Sequence, residues 1–316
     1  MIALPQLGLG AANLGNLHRA MDDDTAFAIL DAAWDAGVRH FDTAPHYGLG
    51  LSERRLGAYL ATKPRAEFLI STKAGRTLRP VAQHGGALDD EGFVVTADAR
   101  RVWEPGRDAI RRGLDESLSR LGLDRVDILY LHDPERYDLD SAEREAYPAL
   151  CELRDEGVVA AVGLGSMSTD ALERATRSTG LDLLMVAGRL TLVDDSARDV
   201  VAVAARAGMR VVAAGVFNSG LLATPQVPDD ARFEYDVASP AIIARARAIA
   251  AVCVRHGVDL PTVALHHPLR SRGVSTVVIG ASRPSHVAAA VGRIETPVPD
   301  ELWVELAVSG LVPHPN

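Results

Sequence analysis

Short runs of aliphatic and β-branched residues alternate along the chain with longer segments whose apolar residues recur at helical spacing. Several of the short runs are apolar almost throughout, which is typical of strands buried on both faces of a parallel sheet. We therefore predict strands at Leu7–Leu9, Val38–Asp42, Phe68–Lys73, Val126–His132, Val158–Leu164, Leu183–Ala187, Arg210–Ala214 and Ser275–Gly280.

The segments between these strands carry the single apolar stripe of an amphipathic helix. Asp24 precedes the first stripe as a predicted N-cap, and Gly37 follows it as a C-terminal stop. Gly122 closes the second stripe in the same way. The first stripe consists of Ala26, Ile29, Leu30, Ala33 and Trp34, and the second of Ile110, Leu114, Leu118 and Leu121.

The alternation of eight strands with helices predicts an α/β fold, a (β/α)8 TIM barrel, for the 316-residue chain. We expect one domain over residues 1–316, with long loops at the C-terminal face of the barrel. A doubly wound open sheet is the alternative, but its first helix opens with a glycine-rich phosphate turn. Here Gly8-Leu9-Gly10 lies well before the first helical stripe, so that spacing is absent.

Two long stretches interrupt the alternation of strands and helices. Thr77–Pro105 separates the third strand from its helix, and Leu222–Pro240 follows the seventh strand. Loops of this length are usually functional lids or disordered segments. Both would lie at the C-terminal face of the barrel, where such folds build their active sites.

The composition of the chain disfavours some classes of binding partner. The formal net charge is −9, which disfavours nucleic acid and anionic membranes as partners. The start of the chain lacks the pattern of a signal peptide, and no apolar run is long enough to span a bilayer. Cys151 and Cys253 belong to no metal or redox motif, so we expect two reduced thiols in a cytoplasmic protein.

Polar residues close three consecutive predicted strands. Asp42 ends the second strand, Lys73 the third and His132 the fourth, while Tyr47 follows Asp42 by five residues. Taken singly, each residue has a plainer structural interpretation, as a helix cap, a solvated strand end or a ring packed in the core or a loop. Because strand ends of a barrel converge on one mouth, the four together predict a catalytic site without a metal.

These residue types suit proton transfer to or from an oxygen. Tyrosine, with an ordinary pKa of about 10, is an adequate acid at neutral pH, and a nearby lysine ammonium should lower that pKa. We expect Asp42 to hold Lys73, and His132 to hydrogen-bond the substrate oxygen. No side chain supplies a hydride, so oxidation or reduction at the adjoining carbon requires a nicotinamide or similar cofactor.

At this point the chain resembles the aldo-keto reductases along nearly its whole length. Asp42-Thr43-Ala44-Pro45-His46-Tyr47-Gly48 resembles the family's Asp–Tyr signature, and Ser71-Thr72-Lys73 its lysine strand. The segment from Arg120 to His132 resembles its histidine strand. The resemblance implies that Tyr47 is the general acid/base and that Asp42, Lys73 and His132 complete a catalytic tetrad. It also implies a barrel that binds NAD(P) across its mouth.

Further segments resemble a sugar-oxidising branch of that family. The resemblance implies oxidation of an aldose of the L-fucose, L-galactose or D-arabinose type at its anomeric carbon, giving a lactone. Tyr47, Trp103 and His132 are then the expected substrate contacts. The supporting segments are Gly75-Arg76, Gly92-Phe93, His132-Asp133-Pro134, Ala187-Gly188-Arg189 and Val216–Leu222.

The same resemblance suggests which residues bind NAD or NADP. Ser166 stands where many members have a nicotinamide-holding Asn, Gly188 replaces a Gln, and Ala214 replaces the stacking Tyr. The Lys and Arg typical of strict NADP enzymes are missing near Ala281 and His286, which favours NAD or dual use. The expected cofactor residues are Gly10, Ala11, Asp42, Ser166, Gly188, Phe217, Asn218, Ser219, Leu221, Gly280, Ala281, Ser282, Arg283 and His286.

Other functions remain open from the sequence. A general aldehyde or ketone reductase, or an enzyme that oxidises pyridoxal, would use the same four catalytic residues. An NADP(H)-binding regulatory subunit with slow turnover would keep the cofactor site alone. A metal-dependent hydrolase is disfavoured, because His266-His267 lacks an accompanying carboxylate cluster and is better explained as a helix end.

Overall fold

The computed structural model describes residues 2–82, 85–178, 180–234 and 236–312, and its strands form one closed barrel with two small hairpins. The barrel order is β1-β2-β3-β6-β7-β8-β9-β12, with β12 pairing back to β1 and every neighbour parallel. The strands are β1 (Leu7–Gly10), β2 (His40–Asp42), β3 (Leu69–Ala74), β4 (Arg76–Pro80), β5 (Ala99–Trp103), β6 (Ile128–His132), β7 (Ala161–Ser166), β8 (Leu183–Ala187), β9 (Arg210–Ala214), β10 (Arg232–Phe233), β11 (Asp236–Val237) and β12 (Val274–Gly280).

All eight predicted strands overlap a barrel strand, which confirms the predicted fold. The largest error is at β7, which begins at Ala161 although the apolar run begins at Val158. Val159 is buried in the turn that precedes the strand, so its burial is not evidence of strand pairing. β2 likewise begins at His40, two residues after Val38.

Helices connect the strands around the outside of the barrel, with short 3-10 turns at Ala11–Gly15, Arg65–Glu67, Pro134–Arg136 and Asn218–Gly220 and a π-helical turn at Ala142–Ala146. The α-helices are α1 (Asp23–Asp35), α2 (Leu51–Leu60), α3 (Arg107–Leu121), α4 (Leu139–Ser141), α5 (Tyr147–Asp155), α6 (Thr169–Arg177), α7 (Arg198–Arg206), α8 (Pro240–Arg255), α9 (Leu260–Leu269), α10 (Pro284–Glu295) and α11 (Asp300–Val308).

The N-cap of the first helix is Asp22, so the prediction of Asp24 was wrong. The Asp22 carboxylate accepts a hydrogen bond from the backbone N–H of Thr25 at 2.8 Å, whereas Asp24 lies within the first turn of α1. The two acids are equally good caps by type, and backbone geometry decides between them. The predicted stop at Gly37 is confirmed by its φ of 82°, a left-handed conformation that favours glycine.

The period-two alternation of the strands points one set of side chains into the barrel and the other towards the helices. Ile128 and Tyr130 of β6 belong to the interior cluster, whereas Leu129 and Leu131 pack with the larger helix-facing cluster. His132 shares the parity of Ile128 and Tyr130, so its side chain lies on the interior side at the C-terminal end of β6.

The described part of Thr77–Pro105 folds largely as a hairpin, in which β4 pairs antiparallel with β5. Its tip is tied to the loop after β1, since the His18 N–H donates to the Gly92 carbonyl at 2.8 Å. The Val94 N–H donates to Asn16 in the same place at 2.9 Å. The described part of Leu222–Pro240 contains the short β10–β11 hairpin.

Gly57 allows α2 and α3 to cross at close range, because a Cβ there would lie 2.0 Å from the Leu121 carbonyl oxygen. We expect Gly57→Ala to lower the free energy of unfolding by about 1–3 kcal/mol, despite the better helix propensity of alanine. Gly113→Ala in α3 is the matched control, since its Cβ would only touch a Thr77 methyl at 3.4 Å. Urea denaturation measures both, and equal stabilities would contradict the close crossing.

No single helix in the described ranges is long and apolar enough to cross a membrane. Among the described residues, one bent pair, α8 and α9, satisfies the length and composition of a span, and these two helices are bent by 98° relative to each other.

Candidate active site

Asp42 and Lys73 form a buried ion pair at the C-terminal ends of β2 and β3. The Lys73 Nζ lies 2.6 Å from Asp42 Oδ2 and 2.9 Å from the Thr43 carbonyl oxygen. The Ser71 hydroxyl donates to Asp42 Oδ1 at 2.7 Å, so both carboxylate oxygens are engaged. The predicted contact between Asp42 and Lys73 is confirmed.

The pair keeps Lys73 positively charged. Burial acts to lower the pKa of the Lys73 ammonium, but the Asp42 carboxylate and the nearby Tyr47 outweigh it, and the net shift is upward. A fixed cation therefore stands 4.8 Å from the centre of the Tyr47 ring.

Tyr47 is placed by a tight turn in which its N–H donates to the Ala44 carbonyl at 3.1 Å. The turn packs directly on the 3-10 segment after β1, where Gly15 and Gly48 meet backbone to backbone. A Cβ on Gly48 would lie 2.2 Å from the Gly15 carbonyl oxygen, and Gly48 also has a φ of 61°. Glycine is needed at both positions to bring Tyr47 to the barrel mouth.

Burial raises the pKa of Tyr47 to about 12, and the Lys73 ammonium offsets only part of that rise. Lys73 lowers the pKa of Tyr47, as predicted, but burial outweighs this effect and the net pKa lies above the ordinary value of about 10. Lys73 is shared with Asp42, whose carboxylate itself raises the pKa of Tyr47. Tyr47 is thus a protonated phenol at neutral pH.

His132 presents a neutral imidazole beside Tyr47. Burial and the cations Arg76 and Lys73 hold the pKa of His132 well below its ordinary value. Its ring centre lies 5.8 Å from that of Tyr47, and its Nε2 lies 3.5 Å from Asp133 Oδ2. A neutral imidazole can donate one hydrogen bond and accept another, as contact with a reacting oxygen requires.

Phe93, at the tip of the β4–β5 hairpin, packs with Tyr47 and His46 in an aromatic cluster that sequence reasoning missed. Its ring centre lies 6.1 Å from Tyr47 and 5.1 Å from His46. Arg101 of the same hairpin donates to the His46 carbonyl at 2.9 Å. The sequence does not show that an apolar residue in a long insertion lies near the site, because only the tertiary contact with the loop after β1 fixes the position of Phe93.

Trp103 packs outside this aromatic cluster. Its ring stacks on Tyr137, with centres 5.1 Å apart and planes 5° apart, and its Nε1 donates to Ser141 at 3.0 Å. Trp103 is absent from the lining of the cavity that contains Tyr47 and His132. These contacts favour the role of a packing anchor over the expected substrate contact.

A cavity of about 210 Å³, here called the reaction cavity, contains all four predicted catalytic side chains, and a groove of about 360 Å³ continues from it. The two share Asn13, Leu17 and Gly280 among their walls. A small recess beside Gly188 adjoins the groove. The predicted cofactor residues that line these spaces are Gly10, Asp42, Ser166, Gly188, Phe217, Asn218, Ser219, Gly280, Ser282 and His286.

Four predicted cofactor residues lie outside those walls. Ala11, Leu221 and Ala281 are buried in the hydrophobic core, and Arg283 is exposed at the start of α10. The three apolar side chains pack inward, because burial stabilises them more than contact with a polar ligand would. Residues that sequence reasoning did not select line the spaces instead, namely Asn13, Leu17, Met185, Gly215 and Arg232.

The Ser166 hydroxyl is less available than we expected for donating a hydrogen bond to the cofactor amide. Its hydroxyl donates to Glu135 Oε1 at 2.7 Å and accepts from the Ser168 N–H at 2.8 Å. Its one hydrogen is therefore already used, and a further partner would have to donate to the Ser166 oxygen.

The far end of the groove carries Ser282 and His286. The guanidinium of Arg283 donates to His286 Nε2 at 2.7 Å, and burial followed by Arg283 lowers the pKa of His286. The first turn of α10 begins at Pro284, and free N–H groups at a helix start favour anions. This end can accept a phosphate through one helix terminus and one adjacent cation.

No group of three or more His, Cys, Asp or Glu side chains within the described residues is arranged to hold a metal ion. His266 and His267 lie near the end of α9, as predicted. His266 contacts the Arg293 carbonyl at 3.1 Å, and His267 lies 3.5 Å from Asp195.

A barrel with this Asp–Tyr–Lys–His cluster at its mouth defines an oxidoreductase architecture, and residues 6–307 match the model of the aldo/keto reductase family. The chain belongs to that family. It is 52% identical to the D-threo-aldose 1-dehydrogenase of a Pseudomonas species, over 99% of this chain and 96% of that protein. It is 36% identical to the pyridoxal 4-dehydrogenase of Microbacterium luteolum, over 98% and 95% of the two chains.

The fold is also that of a solved structure. The holo form of an aldo-keto reductase from Bacillus halodurans superposes with a TM-score of 0.75, covering 97% of this chain and 92% of that chain at 24% identity.

Proposed function

We propose that the protein oxidises the anomeric carbon of an aldose to a lactone with NAD(P)+ as hydride acceptor. The observation that carries the proposal is the meeting of Tyr47, Lys73, Asp42 and His132 in one reaction cavity that opens into a long groove. The 52% identity to D-threo-aldose 1-dehydrogenase over nearly the full chain supports the aldose as substrate.

In the proposed reaction Tyr47 acts as the base for the hydroxyl on C1. As the phenolate takes that proton, C1 becomes a carbonyl carbon, and a bound nicotinamide would supply the acceptor for the C1 hydride. His132 orients the reacting oxygen. Lys73, held by Asp42, stabilises the phenolate form of Tyr47. In the reverse direction Tyr47 protonates the carbonyl oxygen as hydride arrives at its carbon.

The groove residues fit a dinucleotide. The Asn218 side-chain oxygen is buried and has no hydrogen-bond partner among the residues that the structure describes. Asn218 lines the groove, so this oxygen is ready for a ligand donor. Gly10 lines the reaction cavity, and Gly280 lines both the reaction cavity and the groove, so neither position narrows the space with a side chain. We propose that Asn218 and Ser219 hold the middle of the cofactor and that Ser282 and His286, with Arg283 beside them, hold its adenosine end.

Substrate oxidation should accelerate with pH, because it requires the phenolate of Tyr47, whose pKa burial raises to about 12. Below that pKa the phenolate fraction rises about tenfold per pH unit. We expect kcat/KM for aldose oxidation to rise between pH 6 and 10, by up to that factor per unit. Carbonyl reduction uses the phenol and should change far less over this range. An oxidation rate that peaks below pH 7 would contradict Tyr47 as the base.

The proposal is tested by the absorbance of reduced nicotinamide, with NAD+ and NADP+ each offered L-fucose, L-galactose, D-arabinose and pyridoxal. We expect reduction of the cofactor by at least one of the sugars, with NAD+ at least as effective as NADP+. Turnover of pyridoxal alone would move the assignment to pyridoxal oxidation. Reduction of simple aldehydes without sugar oxidation would indicate a general reductase, and tight cofactor binding without turnover a regulatory subunit.

We propose further that residues 1–316 act as one domain in the cytoplasm. Cys151 and Cys253 are free thiols, which fits a reducing compartment.

A further inference from the structure

The reaction cavity contains a carboxylate that the proposed mechanism leaves unused. Asp133 follows His132 directly at the end of β6 and lines the same cavity as Tyr47. The other acid in that lining, Asp42, has both oxygens engaged by Ser71 and Lys73. Asp133 is therefore the acid of this cavity that can still bind a ligand.

Arg76 holds the Asp133 carboxylate in one orientation. The Arg76 guanidinium, whose side chain is 1% exposed, donates to Asp133 Oδ2 at 3.1 Å and to Glu91 Oε2 at 2.8 Å. Oδ2 also faces His132 Nε2 at 3.5 Å. Within the described residues Oδ1 has no hydrogen-bond partner, so one oxygen is fixed and the other is available.

The backbone at Asp133 is held in the left-handed region, with a φ of 43° and a ψ of 55°. Its N–H donates to the Gly165 carbonyl of β7 at 3.0 Å, which anchors this conformation. Strained positions of this kind persist where the surrounding structure enforces them, and they cluster at functional sites. Glu91 is shared by Arg76 and Arg136, so Asp133 also serves as a counterion of Arg76 through Oδ2.

We propose that Asp133 is a specificity-determining residue that binds substrate hydroxyl groups next to the reacting carbon. This inference rests on the proposed function and deepens it. An ionised carboxylate accepts hydrogen bonds but donates none, so it selects substrates that carry hydroxyl donors. Of the neighbouring walls, Leu17 and Ala214 offer no side-chain acceptor, and Met185 offers only a weak thioether acceptor. Burial raises the pKa of Asp133 to about 6, so the carboxylate is mostly ionised at neutral pH and above.

Two aldehydes with the same number of carbons separate hydroxyl binding by Asp133 from the reduction at C1. Glyceraldehyde carries hydroxyls at C2 and C3, whereas propanal carries none, and both are reduced at C1 with reduced nicotinamide. We expect Asp133→Asn to lower the ratio of kcat/KM for glyceraldehyde to that for propanal by about 10- to 100-fold, the effect of losing a hydrogen bond to a charged group. Asparagine tolerates the left-handed backbone, so this variant should fold.

Asp133→Gly provides a second variant, because glycine adopts the same φ without a side chain, and the ratio should fall similarly. Glu91→Gln is the matched control. It removes one negative charge from the other partner of Arg76 and should leave the ratio within about threefold of wild type.

An unchanged ratio in both Asp133 variants, or an equal fall in Glu91→Gln, would overturn the proposal. A wild-type enzyme without preference for glyceraldehyde would overturn it as well. Failure of the proposed function would be a different result. An enzyme that oxidises no aldose could still prefer glyceraldehyde over propanal. Loss of that preference in Asp133→Asn would then still support the role of Asp133.

Discussion

Replacing Tyr47 with phenylalanine should lower kcat for both aldose oxidation and carbonyl reduction by about two to four orders of magnitude, the usual contribution of a general acid/base. The change removes one oxygen atom from a ring packed among His46, Phe93 and His132, so the cavity shape should survive. The cofactor dissociation constant, measured by quenching of tryptophan fluorescence, should stay within about threefold of wild type.

Tyr59→Phe is the matched control for Tyr47→Phe. Tyr59 is a buried tyrosine of α2 on the outer ring of helices, and the same oxygen is removed there at a distance from the reaction cavity. We expect nearly wild-type kcat in this control. A Tyr47→Phe enzyme that kept more than a tenth of wild-type kcat would refute the assignment of Tyr47 as the proton-transferring group.

Asp42→Asn should destabilise the protein by about 3–5 kcal/mol and also reduce kcat. The substitution leaves the Lys73 ammonium buried without its carboxylate, and an uncompensated buried charge carries this order of cost. Lys73 can escape the cost only by losing its proton, which removes the cation beside Tyr47. Stability and activity should therefore fall together. Urea denaturation and steady-state kinetics measure the two effects.

The double variant Asp42→Asn with Lys73→Met tests the cause of that loss. Without the buried cation, it should be more stable than Asp42→Asn alone while remaining inactive. Glu156→Gln, which weakens the exposed ion pair with Arg111, serves as the surface control and should change stability by less than about 1 kcal/mol. A double variant as unstable as the sum of its single changes would contradict a direct Asp42–Lys73 pair.

The barrel could be predicted from the sequence because its strands are buried on both faces. Such strands appear as continuous apolar runs, and all eight runs correspond to barrel strands. Strand starts were less predictable. Val158 and Val159 precede β7, since apolar residues of a turn can also pack against the core: Val159 is buried and Val158 is half-buried there. The choice between Asp22 and Asp24 as N-cap depended on backbone geometry that residue type does not determine.

The four catalytic candidates could be predicted because parallel strand ends meet at one mouth. The contact between Asp42 and Lys73 followed from that topology alone. The position of Phe93 could not be predicted, because it depends on a hairpin tip pairing with the loop after β1. The net pKa shift of Tyr47 also required the structure, since the sequence does not show how burial compares with the attraction of a lysine already paired with Asp42.

The central claim is that C1 of an aldose gives its hydrogen to the cofactor as hydride while Tyr47 takes the hydroxyl proton. The most direct measurement uses L-fucose, or whichever sugar proves active, with deuterium at C1, and determines the isotope content of the reduced cofactor by mass spectrometry. We expect the reduced nicotinamide to carry the deuterium, and we expect turnover of C2-labelled sugar to leave the cofactor unlabelled. Deuterium released to water, or a label that reaches the cofactor from C2, would contradict the central claim.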